Sequence, residues 1–135
     1  MRALLDHPLI VDLLALSLPA ADFVVAGSGP MLAHGLIDDP SDLDVVARRG
    51  AWDIAVGLGE VEPAPFGPVR RVVLLDGRIE ILDGWFPEIW SVADLIAGAT
   101  VVAGIRFAAM DVVRKSKEIL DRPRDHRHLE LLGDK

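Results

Sequence analysis

Apolar residues Leu4, Leu5, Leu9, Val11, Leu14 and Leu16 recur at roughly helical spacing over residues 3–16, and Pro19 stops the pattern, so a helix is predicted there. Residues 22–26 (Asp-Phe-Val-Val-Ala) form a short β-branched and aromatic run, which reads as a strand. Gly27-Ser28-Gly29-Pro30 follows as a tight turn into a helix with proline at its start, and His34-Gly35 ends that helix early. A polar turn at 38–41 leads into a second strand over residues 42–47 and a helix over 51–58. Proline and glycine dominate 63–68. Two more strands, 70–75 and 78–82, are joined through Asp76-Gly77, a two-residue hairpin signal. The segment 91–109 mixes a short helix near 92–97 with strand character at 100–102 and 105–107. Helices over 110–120 and from Pro123 through Leu132 complete the chain. The expected fold class is therefore α+β with α/β-type order: a small mixed central sheet flanked by helices, ending in a short helical tail.

Length and composition narrow this further. The chain has 135 residues, of which 51% are hydrophobic, so one domain over 1–135 with an adequate core is expected and a disordered chain is excluded. Three Trp, four Phe and no Tyr point to an aliphatic core. The apolar stretch Leu95 to Ile105 is far short of the ~20 residues that a bilayer span requires. Asp6 and Asp12 interrupt the apolar region that a secretory leader would need, so no membrane association and a cytoplasmic location are expected. With no Cys, disulfides and thiolate metal sites are ruled out.

The formal net charge of −7 disfavours unassisted binding to polyanions. That charge is uneven. Residues 114–128 carry six bases (Arg114, Lys115, Lys117, Arg122, Arg124, Arg127) against Glu118, Asp121 and Asp125, a local +3 that leaves −10 for the remainder. An acidic body with one basic end suits an anionic ligand held through a cation on one side and by Lys or Arg on the other.

Three features carry candidate chemistry. Asp42 and Asp44 stand two apart on a strand and so project from one face, where two carboxylates repel unless a cation lies between them. Such a pair suits Mg²⁺, a hard cation that keeps positions open for substrate phosphates. Glu80, between Ile79 and Ile81, would complete a three-carboxylate cluster if its strand lay beside that of Asp42. Asp83, at odd spacing from Glu80, belongs to the opposite face and reads as a turn residue. The Gly27-Ser28-Gly29 turn offers backbone N–H groups at a helix start, where a phosphate is favoured and a Cβ would hold it off. Taken singly, each has an ordinary structural explanation: a solvated strand end, a half-exposed strand residue, a plain strand-to-helix turn. Their order is more informative, with the D-x-D pair fourteen residues after Ser28 and a lone acid on a later strand.

In that order the chain resembles the small nucleotidyltransferases of the DNA polymerase β superfamily. Ala26-Gly27-Ser28, Asp42-Leu43-Asp44 and Ile79-Glu80-Ile81 match their signature, and Lys117 through Asp125 followed by Leu129 is similar to the C-terminal lysine-to-aspartate element of nucleotidyltransferase-like proteins, abortive-infection toxins among them. The likeness spans roughly residues 22–132. Gly29-Pro30, the lack of a base in 37–41, and His128 where a further Asp is common depart from the pattern; these bear on substrate contacts more than on metal binding.

The resemblance implies a nucleotidyltransferase fold and Mg²⁺-dependent transfer of a nucleoside monophosphate from a nucleoside triphosphate to an unidentified acceptor, tRNA or protein. It implies Asp42, Asp44 and Glu80 as ligands of two Mg²⁺ ions ~3.5–4 Å apart in the active complex, with Glu80 also helping to deprotonate the acceptor. Gly27, Ser28, Gly29 and Lys117 would hold phosphates, with Asp125 orienting Lys117. The alternative is a catalytically inactive binding protein of the same fold or a toxin–antitoxin component. A dinucleotide-binding turn fits poorly, because Leu32 occupies the third glycine position and the acids open the second strand. An oligomer is compatible with all of these readings.

Overall fold

A computed structural model describes residues 3–133 and shows an α+β fold built on one seven-stranded mixed sheet. A 3-10 turn at Leu4–Asp6 precedes α1 (Pro8–Ala15), and a second at Ala20–Asp22 leads into β1 (Phe23–Ala26). Then follow α2 (Gly29–Ala33), β2 (Leu43–Ala47), α3 (Arg49–Leu58), β3 (Val61–Pro63), β4 (Arg70–Leu74) and β5 (Ile79–Leu82). The chain continues through α4 (Val92–Ala97), β6 (Thr100–Val102), β7 (Ile105–Phe107), α5 (Met110–Leu120) and α6 (Pro123–Leu132). No helix among the described residues is long and apolar enough to cross a membrane.

The strands lie in the order β3-β4-β5-β2-β1-β7-β6. β5 pairs parallel to β2 and β7 parallel to β1; the other neighbours are antiparallel. Alternation along each strand divides the side chains between two faces. Val25, Leu43, Val45, Val72, Ile79, Ile81 and Phe107 pack against Leu9, Ile10 and Leu13 of α1 and Ala51 and Ala55 of α3. Val24, Ala26, Val46 and Leu82 face the other way, onto Leu95 and Ile96 of α4, with Val112 and Leu120 of α5 beside them. Each fully buried Leu, Ile or Val contributes about 1.5–3 kcal/mol relative to exposure.

The structure departs from the sequence expectations at four points. The first helix is broken at His7, because Pro8 has no N–H and starts a new helix that the His7 imidazole caps by accepting from the Leu9 amide at 3.2 Å. The β4–β5 connection is not a two-residue hairpin. Register pairs Leu74 with Ile79, and the loop between them takes left-handed φ at Leu75, Asp76 and Gly77. That register keeps Val72 and Ile81 opposite each other in the core. Val61–Pro63, where no strand is predicted, is the exposed edge strand β3. The core is not purely aliphatic: Phe23 and Phe107 are buried on one face, and on the other the Phe66 and Phe86 rings stack at 4.7 Å and Trp85 meets both edge-on.

Candidate functional site

β1 runs antiparallel to β2, and β2 runs parallel to β5, so the end of β1 and the starts of β2 and β5 meet at one end of the sheet. Across that end Ala26, Asp44 and Glu80 stand in one lateral row, Ala26 opposite Asp44 and Asp44 opposite Glu80. The strand carrying Glu80 does lie beside that of the aspartates. Asp42 lies one residue before β2, close enough for its charge to act on Asp44. The loop ahead of it is tied back by His7, whose Nε2 lies 3.3 Å from Asp39 Oδ1.

Gly27 follows Ala26 directly at this end of the sheet. Its φ is +62°, and a Cβ built on it would lie 2.3 Å from Asp44 Oδ2. The backbone turn therefore closes directly over the Asp44 carboxylate, which only glycine allows. At Gly29 a Cβ would meet the Val25 side chain at 2.3 Å, so that glycine lets α2 sit down on β1. α2 has only five residues, and its small dipole adds little to anion binding.

Burial raises the Asp44 carboxyl to a pKa of about 7, and the nearby charges of Asp42 and Glu80 push it the same way. Arg124 and Arg122 pull it down, which brings the basic tail to this end of the sheet. A carboxylate so crowded by like charge fits a bound cation, and the Asp42 and Asp44 oxygens are the hard donors that Mg²⁺ prefers.

Glu80 shares the row, but its carboxylate is engaged elsewhere. Its Oε1 accepts from Arg71 Nη1 at 3.0 Å, while Arg71 Nε donates to Glu62 Oε1 at 2.9 Å. Among the described residues no group of three His, Cys, Asp or Glu side chains is placed to hold a metal ion.

Lys117, Ser28 and Asp125, far apart in the chain, do converge. Lys117 Nζ donates to Ser28 Oγ at 2.9 Å and lies 3.6 Å from Asp125 Oδ1. Lys117 is 2% exposed and Asp125 fully buried, so this end of the tail is no solvated basic face. Burial pulls the Lys117 ammonium down from its ordinary pKa, and the Asp125 charge opposes this. Asp125 accepts from the Arg122 side chain at 2.7 Å and from its backbone N–H at 3.0 Å, capping α6 while holding two cations. Burial alone would raise its pKa, but those hydrogen bonds and the neighbouring charges bring it below the ordinary carboxylate value.

Two residues that sequence reasoning did not place at the site belong beside it. His128 Nδ1 is 3.4 Å from Ser28 Oγ, and burial, then Lys117, holds its pKa below the ordinary imidazole value. Arg71 pairs with Glu80, a contact fixed by cross-strand register that no local motif announces. Asp83, assigned to a turn, accepts from the Arg70 backbone N–H and side chain at 2.8 Å, away from this cluster.

No family model, curated protein or solved structure matches this chain.

Proposed function

We propose that the protein is a Mg²⁺-dependent nucleotidyltransferase of the nucleotidyltransferase fold, transferring a nucleoside monophosphate from a nucleoside triphosphate to an acceptor hydroxyl with pyrophosphate leaving. The observation that carries this reading is the lateral row of Ala26, Asp44 and Glu80 beside the Gly27 turn, which brings acids from two separate strands to one end of the sheet. Asp42 and Asp44 would hold the cation, which would supply charge neutralisation at the transferred phosphoryl group. Lys117, oriented by Asp125, would bind the β and γ phosphates together with Ser28 and the amides of Gly27 and Gly29. Arg122 and Arg124 add positive charge on the same side. Glu80, once free of Arg71, would accept the acceptor's proton or join the cation.

Calorimetric titration with a nucleoside triphosphate and Mg²⁺ tests this. Binding by the wild-type chain and its loss in Asp44→Ala is the expected result, and equal binding by both chains rules the reading out.

The pairing of Glu80 with Arg71 favours a second reading, nucleotide binding without turnover, as in an inactive binding protein or a toxin–antitoxin component. Labelled nucleoside triphosphates separate the two. Released pyrophosphate, or label on RNA or protein, belongs to the enzyme only.

A further inference from the structure

The Arg71 guanidinium sits between two carboxylates, donating through Nε to Glu62 at 2.9 Å and through Nη1 to Glu80 at 3.0 Å. The sheet enforces this arrangement. Arg71 stands opposite Glu62 across β3–β4 and opposite Leu82 across β4–β5, so Glu80, two residues before Leu82, is its diagonal neighbour on the same face. The Arg71 and Glu80 side chains are only 28% and 18% exposed, so water screens the pair weakly. Glu80 therefore already has a cation, supplied by the protein. Asp42 and Asp44 form no ion pair among the described residues, with Arg122 and Arg124 acting on Asp44 through their charge alone, so one divalent ion would balance the two carboxylates.

Resting on the nucleotidyltransferase reading, we infer that Arg71 is the resident cation of Glu80: in the nucleotide-free protein a single divalent ion loads on Asp42 and Asp44, and a second enters only when Arg71 is withdrawn. Glu62 is the anchor that keeps Arg71 in place. It lies on an edge strand whose three residues are all exposed, with its own side chain 46% exposed, so this anchor is the accessible end of the chain of pairs. A nucleoside triphosphate brings enough negative charge to compete for the guanidinium, which couples loading of the second ion to substrate arrival.

Mn²⁺ titration of the full chain without nucleotide, followed by calorimetry and by the paramagnetic signal of free Mn²⁺, tests the inference without an activity assay. The wild type should take up a single Mn²⁺, lost in Asp44→Asn. Arg71→Gln should gain a second, and Arg71→Gln/Glu80→Gln should lose it again. Glu62→Gln, which leaves Arg71 present but tied once, should bind the second ion roughly tenfold more weakly than Arg71→Gln does. Circular dichroism confirms that each variant is folded, and Glu62→Gln keeps the test usable if Arg71→Gln is not. Two bound ions in the wild type, or no change in stoichiometry and affinity for both Arg71→Gln and Glu62→Gln, overturns the role of Arg71. Absence of Mn²⁺ binding from every folded variant instead removes the metal reading beneath it.

Discussion

Asp44 and Glu80 occupy directly opposed positions on neighbouring parallel strands, 36 residues apart in the chain, yet among the described residues Glu80 forms an ion pair and Asp44 forms none. Arg71 satisfies Glu80, whereas Asp44 lies under the Gly27 turn with its pKa raised to about 7. That asymmetry makes Asp44 the more responsive group.

Stability should therefore depend on pH through Asp44. Its pKa is raised from 3.8 to about 7, so between these values the folded chain keeps a proton that the unfolded chain has released. The stabilisation is complete below about pH 4 and falls as pH rises towards 7, by at most a few kcal/mol. Asp44→Asn, which cannot ionise, should be more stable than wild type at pH 8 and similar to it at pH 4. Urea midpoints at the two pH values measure this, and a pH-independent difference contradicts it.

Mg²⁺ should act in the opposite sense. It needs the ionised pair, so millimolar Mg²⁺ should raise the melting temperature at pH 8 and leave it unchanged at pH 5. Calorimetric scans with and without the ion give the answer.

Gly27→Ala should be damaging beyond its size. The added methyl meets Asp44 Oδ2 in a backbone conformation of φ +62° that alanine resists, so a loss of about 1–3 kcal/mol is expected together with loss of cation binding. Gly57→Ala, at an exposed position of α3 with open space around it, is the control and should be stabilising by up to about 1 kcal/mol.

Asp125 and Lys117 should separate by phenotype. Asp125→Ala strands the buried Lys117 ammonium and uncaps α6, at a cost of about 3 kcal/mol in unfolding free energy. Lys117→Met keeps the length and burial of the side chain and should cost far less, while weakening triphosphate affinity at least tenfold. Denaturation curves paired with calorimetry distinguish the two.

Much of the fold was legible locally. The runs at 22–26 and 42–47, the early end of α2 at His34-Gly35 and the two tail helices follow from periodicity, glycine and proline. Edge strand β3 was not legible, because three exposed residues ending in proline carry no alternating pattern. The β4–β5 turn misled for a related reason: Asp76-Gly77 is a strong two-residue turn signal, but burial of Ile79 and Ile81 sets the register and leaves a longer loop.

The candidate site divides in the same way. Alternation alone predicts one face for Asp42 and Asp44, and glycine chemistry alone marks residues 27–29 as a close turn, since both depend on neighbours in the chain. That β5 lies against β2 in the register that opposes Glu80 to Asp44, that Arg71 claims Glu80, and that Lys117 is buried against Ser28 were decided by tertiary structure. These pairings join residues far apart in sequence. They are selected by how both faces of the whole sheet can be covered at once, and no local window of the chain contains that information.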